Sequence, residues 1–519
     1  MPTTHPGPET PAIVGVGQSV DRIDRATYRR WSAVELAAEA ARAALADAGL
    51  PQHAFGGIDA IVTTRTFEDM VARTPPFGRS TNFPRSVAAR LGIRPRRAFW
   101  TRAGGNSPQD LVSEFCGRIA AGEFGMVLIC GGEAISTVRH ALRTGHQIDF
   151  TDTPAGEVED RGSGIEDYRD PLAQRHGVVS APIGYGLAEN ARRTRLGQSR
   201  EDYAETMGRL FEPFARIAQE NPYAAWAAPA YAAQELATAS PDNRWIADPY
   251  PLRLVARDQV NLGAAILISS HGAALALGVA PDRMVYLHGH ARATEKSLLA
   301  RPDIGVSPAA QVATSTALQR AGIEVDAIAA FDLYSCFPIA VFNVADALGL
   351  AADDPRELTV TGGLPFFGGP GNNYSMHAIA AMVGRIRRTR RGAGLVGANG
   401  GYLSKYSVGI YSTAPREWRR WSDDELQERL DVVPPVATAD VFAGSGVVET
   451  YSIAYDRGDA TYAVVICRSA DGARFIARSR AGDRATVAAT QAEEPIGRTV
   501  TVEAGPDGIN TFTFARSRA

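Results

Sequence analysis

Two hydrophobic periods alternate along this chain, short continuous apolar runs and longer stretches with apolar residues at helical spacing. Ala12–Gly17 reads as a buried strand. Ser32–Gly49 reads as an amphipathic helix that ends at Gly49-Leu50-Pro51. Strand Ile58–Thr64 and helix Asn82–Gly92 follow, and then a short aromatic strand, Ala98–Thr101. Ala103-Gly104-Gly105-Asn106-Ser107-Pro108 is turn chemistry, with Ser107 or Asn106 as N-cap and Pro108 at the first helical position. Leu111, Val112, Phe115, Cys116 and Ile119 then mark a helix wrapped in apolar contacts. Met126–Cys130 has the continuous apolar character of a doubly covered parallel strand, closed by Gly131-Gly132. Strands alternating with helices imply a parallel α/β sheet.

The pattern lapses between Arg139 and Ala256, where Gly, Pro, Asp and Arg are frequent and Arg200–Asn221 is the clearest helix. Pro222–Tyr250 is dense in Ala, Pro, Trp and Tyr, and its aromatics suit either a ligand pocket or packing on the core. Asn261–Ala280 is apolar, but Ser269-Ser270-His271-Gly272 interrupt it, so it reads as a buried strand followed by a helix of small residues. A second alternating series follows: strand Val285–Ala291, helix Ser307–Gly322, strand Ala327–Leu333, helix Pro338–Leu348, and strands Gly394–Ala398 and Ser407–Thr413. From about Arg416 the composition changes. Trp418–Leu430 reads as a charged linking helix, and Val447–Tyr455, Tyr462–Arg468, Arg474–Arg480, Arg498–Val502 and Phe512–Phe514 as short antiparallel strands. Such a tail fits a small closed barrel of OB type.

Composition sets bounds on this picture. The chain's 519 residues exceed one ordinary core. A net charge of −3 offers no electrostatic case for nucleic acid or a membrane surface. Cys116, Cys130, Cys336 and Cys467 have no metal-type spacing, and this usage suits a reducing, cytoplasmic compartment. Met1–Thr10 lacks the apolar stretch of a signal peptide. Gly15-x-Gly17 lacks the third glycine of a dinucleotide fingerprint. Lysine occurs only at Lys296 and Lys405, which singles out Lys405 as a candidate anion contact.

The stretch Gly104-Gly105-Asn106-Ser107-Pro108-Gln109, with Gly131-Gly132-Glu133 some twenty residues later, resembles the nucleophile region of the thiolase superfamily. In that family a cysteine opens a buried helix at the position that Gly104 takes here. Tyr334-Ser335-Cys336-Phe337 resembles the His-Asp-Cys-Phe loop of the sterol-carrier-type branch, with Tyr334 in the histidine's place. Gly362–Asn373 resembles the Gly-His-Pro loop, with Gly369 at the histidine, and Gly397–Tyr402 resembles the Cys-x-Gly loop, with Asn399 at the cysteine. The tail resembles the extra C-terminal domain of the thiolase-like proteins called type 1.

The resemblance implies two βαβαβ halves stacked as an α-β-α-β-α sandwich. Residues 1–138 and 257–280 would form the first half, and 139–256 a loop domain covering the site. The second half would be 281–415, and the additional OB-like domain 416–519. It also implies a coenzyme A thioester as substrate or ligand, no other cofactor or metal, no membrane span, and a monomer or homodimer. The implied catalytic candidates are Tyr334, His377, Asn399 and Cys336, and the implied binding candidates are Gly104, Asn106, Asn372, Asn373, Gly369 and Lys405. Three readings stay open: an enzyme acting on a C–C bond of an acyl thioester, possible as a retro-aldol needing only a base and a stabilised enolate; a non-catalytic acyl-CoA or lipid-binding protein; and a scaffold that docks through the OB-like domain.

Overall fold

The computed structural model describes residues 5–70, 74–165, 170–227 and 229–515, so the first four residues of Met1–Thr10 and part of the 139–256 segment lie outside the description. The first strands and helices in chain order are β1 (Pro11–Val20), α1 (Ala33–Asp47), β2 (Ala60–Thr63), α2 (Phe83–Leu91), β3 (Arg97–Trp100), α3 (Ser107–Ala120), β4 (Met126–Ala134) and α4 (Ile135–Thr144). The middle segment carries β5 (Glu159–Asp160), α5 (Pro171–Arg175), α6 (Ala181–Arg195), α7 (Arg200–Glu220), α8 (Ala233–Ala237), β6 (Trp245–Ala247) and β7 (Tyr250–Pro251). Then come β8 (Asn261–Ser270), α9 (His271–Ala276), β9 (Tyr286–Thr294), α10 (Pro308–Ala321), β10 (Ile328–Asp332), α11 (Pro338–Leu348), α12 (Gly363–Phe366), α13 (Tyr374–Thr389), β11 (Ala393–Gly400) and β12 (Lys405–Ser412). The tail holds α14 (Asp424–Asp431), β13 (Gly444–Asp456), β14 (Asp459–Ser469), β15 (Arg474–Arg478), α15 (Arg484–Ala492), β16 (Thr499–Ala504) and β17 (Asn510–Phe514).

Sheet one has the order β1-β8-β4-β2-β3-β5 and sheet two the order β10-β11-β12-β9. Helices α3 and α13 lie between the sheets and touch each other, while α1 covers the outer face of sheet one and α10 that of sheet two. The result is the five-layer sandwich of a thiolase-type fold. Both outer helices settle onto a glycine. A Cβ at Gly17 would collide with the Ala40 carbonyl on α1, and a Cβ at Gly289 with the Ala317 carbonyl on α10. The repeat between halves, invisible as sequence identity, is thus present as the same close approach of helix to strand.

Three local expectations change. The strand at Met126 does not close at Gly131-Gly132 but runs to Ala134, because β8 continues its pairing (Gly131↔Ala264, Gly132↔Gly263), with Thr64 and Asn373 packed against Gly131 and α1 against Gly132. That strand is also not purely parallel, since it pairs parallel with β2 and antiparallel with β8. The linking helix is Asp424–Asp431 alone. Trp418 instead stacks flat on His290, 5.4 Å between ring centroids, and Arg416 donates to the Ala321 carbonyl, so the chain before α14 is a strap.

The tail closes as β13-β14-β15-β17-β16-β13, with β15 and β17 parallel and α15 between β15 and β16, which is the order of an OB barrel. Its sheet continues into β6 and β7 of the middle segment through Ala454↔Ala247. Arg474 fixes the barrel to the core: Nε donates to Glu449, Nη1 to the carbonyls of Leu299 and Arg301, and Nη2 to that of Pro302. Among the described residues no helix is long and apolar enough to cross a membrane.

Candidate functional site

Helix α3 opens at Ser107, after Asn106, and no side-chain cap bond is formed there. Asn106 spends its amide on Asp110 (2.6 Å) instead, so Pro108 takes the second helical position rather than the first. The two glycines before it differ in direction. A Cβ at Gly104 would point at Asn106 Oδ1 and Ser107 Oγ, within its own turn, whereas one at Gly105 would collide with the Tyr334 hydroxyl and the Asn399 carbonyl. The position that faces the converging loops is therefore Gly105, and the phenol of Tyr334 fills the volume its side chain would need.

Tyr334, Cys336 and Asn399 do come together, 6 %, 7 % and 1 % exposed. Asn399 Nδ2 donates to the Tyr185 hydroxyl (2.8 Å) and lies 3.8 Å from Cys336 Sγ, and its Oδ1 is buried without a partner. Tyr185, from α6, donates in turn to the Gly401 carbonyl (2.7 Å) and stacks on Phe337 at 4.3 Å. Burial pushes the Cys336 thiol up to about 12, with the hydrogen bonds of Tyr185 and Asn399 opposing it more weakly. A thiol held there is protonated at neutral pH and is a poor nucleophile.

His377 does not join this cluster. It is fully buried on α13, its Nδ1 donates to Gln18 Oε1 (2.8 Å), its ring packs on Phe367, and its Nε2 has no partner. Burial drives its pKa down to about 3, so it is a neutral seam residue between the halves. Asn372 accepts from Gly104 N (2.9 Å) and donates to the Arg65 carbonyl, and Asn373 donates to the Gly131 carbonyl. Both asparagines stitch the second half to the first. Gly369 donates to the Arg257 carbonyl (2.8 Å) and so ties its loop to the segment that leads into β8. Asn106 and Lys405 line a polar cleft of about 560 Å³ with Asp110, Arg292 and Asp423, and Asn106 Oδ1 also abuts Gly400, next to Asn399. Burial raises the Asp110 carboxyl to about 6 against hydrogen bonds from Ser407 and Asn106.

Behind the cluster sits Glu189 of α6, which accepts from the hydroxyls of Tyr203 and Tyr250 and from Ile339 N at the start of α11. Burial lifts it to about 7, opposed by those hydrogen bonds and by Arg192. Since the folded value lies above the unfolded one near 4.5, the protonated fold is favoured. Its contribution is complete below about pH 4.5 and is lost as pH rises through about 7. Glu189→Gln should remove a loss on the order of 3 kcal/mol across that window. The measurement is denaturant unfolding of both proteins at several pH values. Asp248, Asp332 and Glu133, also raised by burial, cancel in the comparison. Parallel pH profiles of the two proteins would rule the assignment out.

A structure titled as a monomeric SCP2-thiolase like protein type 1 from Mycobacterium smegmatis is 44 % identical to this chain, covers 98 % of it and 100 % of itself, and superposes with a TM-score of 0.85. This chain belongs to the thiolase-like type 1 proteins of the thiolase superfamily. The family model of the thiolase-like protein type 1 additional C-terminal domain matches residues 425–508, within the barrel and α14. More distant likeness shows the fold alone. The Ltp2-ChsH2(DUF35) aldolase is 20 % identical (TM-score 0.58, 79 % of this chain and 98 % of that one), and acetyl-CoA acetyltransferase from Syntrophomonas wolfei is 18 % identical (0.55, 78 % and 99 %). No curated protein matches the chain.

Several residues of this thiolase-like protein escaped the sequence reading. Gly105 was obscured by its twin Gly104. Tyr185 lies between Gly184 and Gly186 inside a helix, an unusual place for glycines, and that was its one signal. Arg257 and Trp226 form a stacked pair, 4.1 Å from guanidinium to ring centroid, with the Trp226 indole nitrogen buried and unpartnered.

Proposed function

We propose that this thiolase-like protein binds a coenzyme A thioester without turning it over. The observation that carries this reading is the Tyr334 hydroxyl standing over Gly105, beside the Gly104 that takes the superfamily's nucleophile position, where a side chain facing the converging loops would need room. The raised Cys336 thiol and the distant, neutral His377 support it, since neither supplies a thiolate or a base to the cluster. The fold is one associated with coenzyme A esters, and the Trp226–Arg257 pair offers what the carrier needs: an aromatic face for stacking and an exposed cation, without an ion pair among the described residues, for a phosphate. Arg257 sits next to Gly369 and to Ala256, whose amide donates to the Cys336 carbonyl, so the pair borders the cluster.

The protein acts as a monomer in this reading, as the M. smegmatis structure is titled. The pairing of β5 along β3 (Phe99↔Glu159) covers a sheet edge that would otherwise be open to a second copy. Calorimetric titration with coenzyme A tests the proposal. Binding is expected, weakened by roughly tenfold in Arg257→Ala, about 1.4 kcal/mol. Absence of binding, or turnover of a β-hydroxyacyl-CoA that Tyr334→Phe abolishes, would overturn it, the second outcome in favour of an aldolase.

A further inference from the structure

The additional barrel does more than cap the chain. Where it meets α6, α7 and α8 it closes one side of a cleft of about 970 Å³, within the size range of small-molecule sites and at the domain boundary where such sites concentrate. Tyr455 and Gln491 come from the barrel, and the remaining walls from the middle segment. We infer that this cleft is a binding site for a planar aromatic ligand carrying an amine or other positive charge.

Each wall contributes to that chemistry. Trp245 and Tyr455 stack on one another, 5.9 Å between centroids and 25° between planes, and form an aromatic platform joined across the β6–β13 pairing. Ala232, Ala233, Ala237 and Ala239 line the cleft with small side chains. Glu201, Glu205 and Glu212 line the α7 side. Glu205 is neutralised by Arg209, while Glu201 and Glu212 have no ion pair among the described residues.

The cations that reach the cleft share Glu494, and Arg200 keeps its Nε without a hydrogen bond. Arg193 donates to Asn190, the Gln198 carbonyl and Glu494, and Arg200 donates to the carbonyls of Thr490, Gln491 and Glu493 at the end of α15. An anionic ligand would therefore meet two uncompensated carboxylates, whereas a cationic ring would gain both them and the indole face. Behind the floor, the fully buried Tyr451 lies under Arg200. None of these groups belongs to the Tyr334 cluster, so the site is independent of the coenzyme A reading.

The full-length protein is titrated with tryptamine and, in parallel, with indole-3-acetate, by calorimetry and ligand-observed NMR. Saturable tryptamine binding is expected, at least tenfold tighter than the acid. The double variant Glu201→Gln/Glu212→Gln, two surface changes that leave the core untouched, should weaken tryptamine at least tenfold. Trp245→Leu should abolish the ring contacts seen by NMR, and coenzyme A affinity should be unchanged in the double variant. No saturable tryptamine binding, equal affinity for the acid, or indifference to the double substitution each overturns the inference.

Discussion

Thiolysis of acetoacetyl-CoA is expected to run no faster with this protein than without it, where an enzyme would supply an acceleration of at least ~10⁶. Three observations lead to this result. Position 105 has no side chain and no room for one, because the Tyr334 hydroxyl and the Asn399 carbonyl already occupy the space. Cys336 is close to the site but is held protonated by burial, at about 12. The only histidine called on from sequence is spent on Gln18 and titrates near 3. The same geometry says that restoring the thiol does not restore the reaction. Gly105→Cys should forfeit about 1–3 kcal/mol to overpacking and still give no acyl adduct by mass spectrometry after incubation with acetyl-CoA. A stoichiometric adduct on the native protein, lost in Cys336→Ala, would make Cys336 a relocated nucleophile and defeat the claim.

Arg474→Met should be the most destabilising single change in the tail. The guanidinium is 1 % exposed and serves four acceptors at once: Glu449 and the carbonyls of Leu299, Arg301 and Pro302. Removing it leaves three carbonyls of the core without their donor and Glu449 with Arg468 as its one remaining cation. Breaking a buried pair in this way costs about 3–5 kcal/mol, and the partial exposure of Glu449 puts the expectation toward the lower end. Because the bonds join β15 to the core segment before α10, the barrel should loosen first. Hydrogen exchange should show protection falling across β13–β15 before it falls in the two central sheets. A uniform loss of protection, or a change in unfolding free energy under about 1 kcal/mol, would show that the barrel is held mainly by its pairing with β6 and by Arg193 and Arg200.

The order of strands and helices was legible where buried strands are continuous apolar runs and helices carry a cap or a terminal glycine, signals that α13 lacks. Ser32 with Glu35 before α1, and Gly322 after α10, are local signals that tertiary contacts did not overrule. The barrel was legible for the same reason, through period-two alternation between turn residues such as Asp456–Asp459. Loops with a glycine frame, and the absence from them of the expected cysteine and histidine, were also visible in one dimension.

Direction was not visible. Which of Gly104 and Gly105 faces the pocket depends on where Tyr334 comes to rest, more than two hundred residues along the chain. His377 lies one turn inside its helix, as its position suggests, yet that turn points it at Gln18 of the other half instead of at Asn399. Lys405 and Asn106 share a polar cleft because β12 runs past the mouth of α3. A residue's type and element are local properties set by spacing and caps. Its pocket, its proton affinity and its partner are set by what distant segments bury against it, and for Gly105, Cys336, Glu189 and Arg474 the fold alone decides them.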